Sequence, residues 1–377
     1  MNITIRQLTG RNALRKYVQF AIDLYKGNPY YVPALVMDEL DTFSPKKNPA
    51  FEHCEAVHYM AYDGKRPVGR ITGIINHKLN ELSGKKEARF GFVDFIDDAA
   101  VSDALFDAVE AWASERGMTS LTGPLGFTDM DPEGMLVEGF DRLGTMATIY
   151  NYPYYPAHMA RRGYVQDCEW VEYFCTVPAE MSAKHARVAE IVRRKFGLRS
   201  VVKDFKNIND LARKYGRQLF ELINLAYKDL YGYCPLTARQ IDHYLKMYIP
   251  IVRLSQISVI VNDKDEVVGV GIAMPSMSRA LQQSGGRMFP FGFRHLLRGL
   301  KGRNDVADLL LVAIHPDYQG LGANALLFDD ILPGFIQEGF KYVETNPELV
   351  ANERVQQQWQ YFEHHQHKRR VAFVKEL

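Results

Sequence analysis

The strongest structural signal in the sequence is the stretch LLLVAIHPDYQGLGAN, which runs from Leu309 to Asn324. Its apolar first part, residues 309–314, predicts a buried strand, and the Pro-containing turn at 315–318 ends that strand. Two glycines then open an apolar helical pattern from Ala325 to Phe335. A helix N-terminus carries unpaired N–H groups and a partial positive charge, and small residues there let a pyrophosphate approach the backbone closely. The stretch therefore predicts a strand, a phosphate-binding loop and a helix in succession.

The elements around this stretch occur twice in the chain. A helix that ends in Tyr-Lys and is followed by Tyr-x-Pro occurs twice, at 12–25 and at 210–227. The two copies are 202 positions apart, as Lys26 and Lys228 show. Each half continues with a predicted β-hairpin, at 57–73 and 257–270. A Leu-Phe-Asp helix that ends at a glycine then recurs 222 positions later, from Leu105 to Leu327. We therefore predict a duplicated α+β unit with a mixed, mainly antiparallel sheet flanked by helices, divided into residues 1–178 and 179–377.

On these residues the sequence resembles the GNAT superfamily of acyl-CoA N-acyltransferases, whose diagnostic loop is Arg/Gln-x-x-Gly-x-Gly/Ala. Gln319 to Ala323 match that loop, and Asn324 replaces the small residue that follows it in the family. The resemblance covers the second half from Leu198 onward and, less sharply, the first half. It implies two tandem GNAT-like domains and an acyl-CoA ligand, acetyl-CoA or another. The first half also resembles a bacterial group of tandem GNAT-like proteins.

The resemblance implies roles for particular residues of the second half. The pyrophosphate is expected at the loop, and the thioester carbonyl at a main-chain N–H of the preceding strand, at Leu311 to Ala313. Glu344, on a predicted strand at the sheet edge where the acceptor should sit, is the candidate base. Tyr361, on a helix expected from Glu353 to His364, is the candidate acid, while Asn352 is a candidate CoA contact. Each also has a structural interpretation, as a solvated carboxylate, a helix anchor and a helix N-cap. The expected CoA-binding residues are Leu311, Val312, Ala313, Gln319, Gly320, Leu321, Gly322, Ala323, Asn324 and Asn352.

The first half differs at the loop position. The repeat aligns Asp97 and Asp98 with Gln319 and Gly320. Two carboxylates cap a helix well, but they repel a pyrophosphate, so this half is expected to have lost CoA binding. Its Pro- and Tyr-rich stretch at 150–155 predicts either a wall of an acceptor pocket or an ordinary packed loop.

Composition excludes several classes of protein. The chain of 377 residues has 46 Lys and Arg against 45 Asp and Glu, so no overall positive charge favours nucleic acid. Its longest aliphatic block, 309–314, is too short for stable membrane insertion. The four cysteines have no CxxC spacing, so neither a zinc site nor a disulfide framework is predicted. The N-terminal residues lack the pattern of a signal peptide, and we expect a cytoplasmic protein.

Three functions are compatible with these residues. The first is an acyl-CoA-dependent N-acyltransferase, with N-acetyl transfer the expected reaction, acting on a small-molecule or peptide amine by direct attack in a ternary complex. The second is a Fem-like aminoacyl transferase, which the near-zero net charge disfavours. The third is a non-catalytic protein that binds CoA or a metabolite. Oligomeric state and acyl length cannot be read from the sequence.

A basic segment between 274 and 303 sets the second half apart from the first. It interleaves arginines with phenylalanines and leucines, as in Arg294 and Phe293, and predicts a basic amphipathic helix. The helix has two interpretations: it docks on its own domain with a solvated basic face, or it contacts a CoA phosphate, an anionic acceptor or a membrane surface.

Overall fold

A computed structural model gives the fold of the protein and describes residues 2–302 and 304–377, so that Arg303 of the basic segment lies outside the described residues. The chain forms two compact units. Unit 1 comprises residues 1–171, 277–296 and 367–377, and unit 2 comprises residues 172–276 and 297–366. The sequence-based division at residue 178 differs from this arrangement, since two segments of the second half belong to unit 1.

The strands and helices are numbered in the order in which they follow one another along the chain. The strands are β1 Ile3–Gln7, β2 Cys54–Asp63, β3 Arg66–Asn76, β4 Glu87–Phe95, β5 Ser120–Gly123, β6 Met135–Glu138, β7 Val165–Thr176, β8 Arg199–Ser200, β9 Ile257–Val261, β10 Val267–Pro275, β11 Val306–Ile314, β12 Tyr342–Thr345, β13 Glu348–Leu349 and β14 His364–Glu376. The α-helices are α1 Arg11–Leu24, α2 Val36–Thr42, α3 His77–Ser83, α4 Ala99–Glu115, α5 Tyr155–Arg161, α6 Ala183–Phe196, α7 Ile208–Tyr227, α8 Ala238–Tyr248, α9 Ser278–Ser284, α10 Gly292–Lys301, α11 Asn324–Glu338 and α12 Glu353–Gln356.

The sheet of unit 1 has the strand order β1-β2-β3-β4-β5-β14. Its neighbours are antiparallel except for β4 and β5, which run parallel. The last strand comes from the far end of the chain: Phe373 of β14 pairs with Gly123 of β5. Val371 and Phe373 are buried in the same core as Leu105 and Val109 of α4, so residues far apart in sequence stabilise one unit.

The sheet of unit 2 repeats that order as β8-β9-β10-β11-β12-β7. Here β11 and β12 are the parallel pair, and Phe174 to Thr176 of β7 form the outer ladder against β12. Helix α7 covers one face through Leu219, Phe220 and Ile223. Helix α11 covers the other through Leu326, Leu327 and Ile331. Each unit is therefore a mainly antiparallel α+β layer structure, as the repeat predicts.

Most predicted elements are present, and two predictions are wrong in detail. The expected helix from Glu353 to His364 is only the short α12, followed by a 3₁₀ helix at Gln357–Tyr361. It stops because Trp359 and Phe362 turn inward against Phe328, with ring centroids 5.9 and 5.0 Å from it. The basic segment forms two helices, α9 and α10, instead of one. Within the described residues, no helix has the length and apolar character needed to cross a membrane.

Candidate functional site

The parallel pair in unit 2 opens into a gap. The ladder between β11 and β12 covers Val306–Leu309 and ends at the pair Leu309–Thr345, while β11 continues to Ile314. The register with β10 shifts at the same place, because Ile272 pairs with Leu311 and Ala273 pairs with Leu309. Leu310 is therefore the extra residue of a β-bulge, which turns the last part of β11 away from β12.

The bulge decides which peptide groups face this gap. His315 donates its N–H to Val268 O at 2.9 Å, so the alternation of an antiparallel ladder directs Ala313 and Leu311 toward β10 as well. Val312 then faces the other way. The Val312 carbonyl confirms this orientation, because it accepts a hydrogen bond from the Tyr227 hydroxyl at 2.7 Å. Among the three residues predicted to polarise a thioester, Val312 is the one whose N–H points into the gap.

Residues from separate parts of unit 2 donate hydrogen bonds to carbonyls of β11 along this gap. Asn346 donates its side-chain amide to Leu310 O at 2.8 Å and its backbone N–H to Leu309 O at 3.2 Å. At the far end, the Gln319 amide donates to Ile314 O at 3.0 Å. The amide of Gln319 thus secures the loop to β11, although the sequence suggested a direct contact with phosphate. Asn346 and Tyr227 hold the exposed carbonyls of β11 in place.

The two-glycine loop connects this gap to a helix N-terminus. Gly320 and Gly322 have φ of 73° and 82°, values that favour glycine. Helix α11 begins at Asn324 directly after them, has no acidic residue in its first turn, and its N-cap residue Ala323 makes no side-chain capping bond. The N–H groups of Ala325 and Leu326 donate to Gly322 O and Ala323 O at 2.9 and 3.1 Å. An anion at this helix start would therefore be attracted by the partial positive charge of the helix N-terminus and by the backbone of the loop. A Cβ at Gly322 would lie 3.2 Å from Val192 of α6, so a side chain there would be crowded as well as strained.

An apolar pocket adjoins the same strand. Its walls come from the sheet, from α11 and from the 3₁₀ helix that follows α12. Nearly every lining side chain is apolar. The lining residues are Cys175, Thr176, Val177, Gly271, Leu309, Val312, Leu327, Phe328, Ile331, Leu332, Phe335, Val343, Gln358, Trp359 and Phe362. The cavity has a volume of about 30 Å³, so its apolar walls would have to move apart to admit a hydrocarbon chain.

Glu348 is a titratable group beside this pocket. Both of its carboxylate oxygens accept the indole N–H of Trp359, at 2.9 and 3.0 Å. Burial raises the pKa of Glu348 to about 8, against the opposing effect of the Trp359 hydrogen bond. Burial, with the Glu348 charge, also raises the pKa of the Cys175 thiol to about 12. A carboxyl group that changes charge near neutral pH is suited to acid–base chemistry, and no local sequence pattern singles it out.

The predicted catalytic residues occupy different environments. Glu344 lies on β12, which is flanked by β11 and β7, and only 6% of its surface is exposed. It is an interior residue, so the expected position at a sheet edge is wrong. Tyr361 ends the 3₁₀ helix with 56% of its surface exposed. Asn352 precedes α12 and makes no side-chain cap, while its carbonyl accepts from Val355 N–H at 3.1 Å.

The corresponding place in unit 1 is filled by the unit's own side chains. The Tyr155 hydroxyl accepts the Phe95 N–H at 2.9 Å, and the Tyr154 hydroxyl donates to Phe95 O at 2.5 Å. At the start of α4, Asp98 caps the N–H of Ala100 at 2.8 Å. Both the strand edge and the helix N-terminus are therefore occupied, which gives a structural reason for the expected loss of CoA binding in this half.

The aromatic stretch of the first half forms a wall in unit 1. Tyr150 donates its hydroxyl to Phe140 O at 3.2 Å and accepts from the Asn28 amide at 3.0 Å. Tyr25 stacks on Tyr31 with ring centroids 4.5 Å apart. Asn28, Phe140 and Tyr150 border an open pocket of about 510 Å³ within the unit. The stretch is therefore both a packed cluster and the wall of a concave surface.

A second group of titratable carboxyls lies in unit 1. Burial raises the pKa of Asp129 to about 7 and that of Asp131 to about 6, against the influence of Arg89. Asp131 accepts the Thr128 N–H at 3.1 Å. Burial also raises the pKa of Glu133, and the neighbouring Asp129 adds to the effect. This loop therefore changes charge near neutral pH.

The fold has a solved counterpart. A tandem GNAT protein from the clavulanic acid biosynthesis pathway superposes with a TM-score of 0.56 at 14% identity, covering 100% of this chain and 98% of that one. The two-glycine loop between a strand and a helix, and the repeat of the elements around it, are the features through which the sequence resembles that superfamily. The protein has the fold of a tandem GNAT protein.

Two relatives are similar in sequence over most of their length. Bacterial ceramide synthase of Caulobacter vibrioides (strain NA1000 / CB15N) is 29% identical over 299 residues, which cover 76% of this chain and 74% of that protein. Protein YghO of Escherichia coli (strain K12) is 27% identical over 320 residues, covering 84% of this chain and 79% of that protein. No protein-family model matches the chain.

Proposed function

We propose that the protein is an acyl-CoA-dependent N-acyltransferase that joins a long acyl chain to an amine, with unit 2 as the catalytic unit. The observation that carries this proposal is the gap beside β11, where the Val312 N–H faces the same opening that the two-glycine loop closes at one end. A pyrophosphate at the start of α11 and a thioester at Val312 would lie along one strand.

In the proposed reaction, acyl-CoA supplies a thioester whose carbonyl carbon is attacked by the amine nitrogen. The C–N bond forms, the C–S bond breaks, the nitrogen loses a proton and the thiolate gains one. The Val312 N–H stabilises the negative charge on the carbonyl oxygen. Glu348 and Glu344 are the candidate bases; burial raises the pKa of Glu348 to about 8, a range suited to proton transfer in general acid–base catalysis. The role of Tyr361 as acid stays a prediction from the resemblance.

The proposed acyl chain is long, and the apolar pocket would widen from about 30 Å³ to hold its first part. It shares Leu309 and Val312 with β11, so a chain attached at the thioester has a hydrocarbon environment next to it. The similarity to bacterial ceramide synthase supports the same substrate class, since a ceramide is the amide of a fatty acid and a long-chain amino alcohol. We therefore propose a long-chain amine, of the sphingoid type, as the acceptor in preference to a small polar amine or a peptide.

The experiment is to incubate the purified protein with acetyl-, octanoyl- or hexadecanoyl-CoA, or with an aminoacyl-tRNA, as the donor, and with sphinganine, a small polyamine or a peptide amine as the acceptor. Free CoA thiol and N-acyl product are followed together, the latter by mass spectrometry. We expect one amide formed per thiol released, with hexadecanoyl-CoA and sphinganine preferred. Acyl-CoA binding without thiol release would support a binding protein, and transfer from an aminoacyl-tRNA alone would support the Fem-like alternative; either result would contradict the proposal.

A further inference from the structure

The basic segment of the chain carries positive charges and no negative ones. From Ser276 to Arg303 the sequence contains five arginines and one lysine but no aspartate or glutamate. The whole protein, by contrast, has a formal net charge of only +1. The positive charge is thus concentrated locally, and a partner of opposite charge would be attracted to this segment.

The same segment exposes large apolar side chains. We call Met288, Phe289, Phe291 and Phe293 the aromatic tip; their exposed fractions are 36%, 68%, 65% and 36%. The rings of Phe289 and Phe293 lie 6.4 Å apart, and the Arg294 guanidinium is 5.6 Å from the centre of the Phe291 ring. Neighbouring exposed aromatic rings of this kind mark an interaction surface.

The base of the tip is fastened to unit 1. Gly286 accepts the N–H of Val36 at 2.9 Å, and the Gln282 amide donates to Pro29 O and Tyr31 O, both at 2.9 Å. A Cβ at Gly286 would lie 2.3 Å from Ala34 O, so only glycine permits this close approach. Because the base is held, the exposed rings are displayed outward at a fixed place on unit 1.

We propose that the aromatic tip binds the surface of a membrane containing anionic phospholipid. Aromatic rings favour the interface between headgroups and acyl chains, and arginines bind the phosphates. The exposed Arg279, Arg287 and Arg294 flank the tip on the described part of the segment. The combination of rings and cations without any carboxylate fits an anionic lipid surface, whereas a polar protein partner would need neither the bare rings nor the uniform charge.

The test is sedimentation of the protein with vesicles of phosphatidylcholine, with and without phosphatidylglycerol. We expect binding to the vesicles that contain phosphatidylglycerol, weakened by salt, and an affinity reduced at least about tenfold by Phe289→Ser combined with Phe291→Ser. The matched control is Leu82→Ser combined with Val165→Ser, which alters residues that are 63% and 60% exposed elsewhere in unit 1. Circular dichroism checks that both double variants remain folded.

A Phe291→Trp variant measures directly how deeply the aromatic tip enters the membrane. Its fluorescence should shift to the blue on binding and be quenched by brominated acyl chains. Equal binding by the wild type and the tip variant would overturn the proposal, as would no binding to phosphatidylglycerol vesicles. A wild type that instead self-associates through the tip, losing this association in the tip variant, would also overturn it. Neither acyl-CoA nor amine is present, so the result is independent of the proposed acyl transfer.

Discussion

At the scale of single residues, the carboxyl group of Glu348 makes the stability of the fold depend on pH. Burial raises its pKa from 4.5 to about 8, so it stays protonated in the folded chain through a range in which it ionises when unfolded. The unfolded chain then binds fewer protons than the folded one, and stability decreases as the pH rises through that window. The slope is at most about 1.4 kcal/mol per pH unit.

We predict that Glu348→Gln removes this slope. The amide keeps an oxygen to accept the Trp359 N–H, and it carries no ionisable proton. The free energy of unfolding of the variant, minus that of the wild type, should therefore increase from about pH 5 to about pH 8. Chemical denaturation at several pH values measures it. Glu363→Gln, at an exposed position, is the control, and a parallel pH dependence in wild type and Glu348→Gln would contradict the assignment.

The sequence could predict the loop residues at this scale but not their partners. Gly320 and Gly322 were recognisable because a strand precedes them and an apolar helix follows. The hydrogen bonds of Tyr227 with Val312 and of Asn346 with Leu310 join residues 85 and 36 positions apart. No local pattern encodes such contacts. The raised pKa of Glu348 likewise depends on burial that only the fold creates.

At the scale of elements, the β10 wall of the apolar pocket is the place where a small substitution should change the preference for acyl-chain length. A Cβ at Gly271 would lie 3.1 Å from Ile331 of α11, inside the pocket. We predict that Gly271→Ala lowers the relative kcat/KM for hexadecanoyl-CoA over octanoyl-CoA about tenfold, because the pocket must widen to admit the longer chain and the added methyl group fills part of the space so created. Competition between the two acyl-CoAs, read by mass spectrometry, measures this ratio.

The same strand provides a matched control. Gly269→Ala places a Cβ 3.3 Å from Ile260 and Ile314, so it is similarly crowded but does not line the pocket. It should leave the chain-length preference unchanged even if the protein becomes less stable. An unchanged preference in Gly271→Ala, or an equal change in both variants, would show that this pocket does not hold the acyl chain.

Elements with strong periodicity were predictable from the sequence. The expected helices at 210–227 and 325–335 correspond to α7 and α11 within a few residues. The helix expected over 353–364 failed because burial of Trp359 and Phe362 against Phe328 overrides the helical pattern. Local propensity decided the long amphipathic helices, and tertiary packing decided the short segments.

At the scale of the whole molecule, the two units are not consecutive stretches of chain. Strand β7 leaves unit 1 and continues into unit 2, and β14 does the reverse. The repeat in the sequence shows that the two halves are alike. It does not show that β7 completes the sheet of unit 2 or that β14 completes the sheet of unit 1. That information lies in long-range pairing, such as Phe373 with Gly123, which periodicity cannot reveal.

We predict that Val371→Asp destabilises unit 1 by more than about 3 kcal/mol, since Val371 is fully buried in that unit's core. Hydrogen exchange should increase at β5 and β6, which pair with β14 although they lie more than 200 positions away in the sequence. Val165→Asp, at a position 60% exposed, is the control. Unchanged exchange at β5 and β6 would contradict the assignment of residues 367–377 to unit 1.

The proposed function requires that the chain hold one acyl-CoA, in unit 2. Calorimetric titration with hexadecanoyl-CoA tests this most directly, with Leu321→Glu to place a carboxylate at the loop and Leu321→Gln as the uncharged control. Leu321 is 41% exposed, so the change adds charge without the strain that a side chain at Gly322 would cause. We predict one site per chain, lost in Leu321→Glu and retained in Leu321→Gln. Two sites per chain, or undiminished binding by Leu321→Glu, would contradict the proposal.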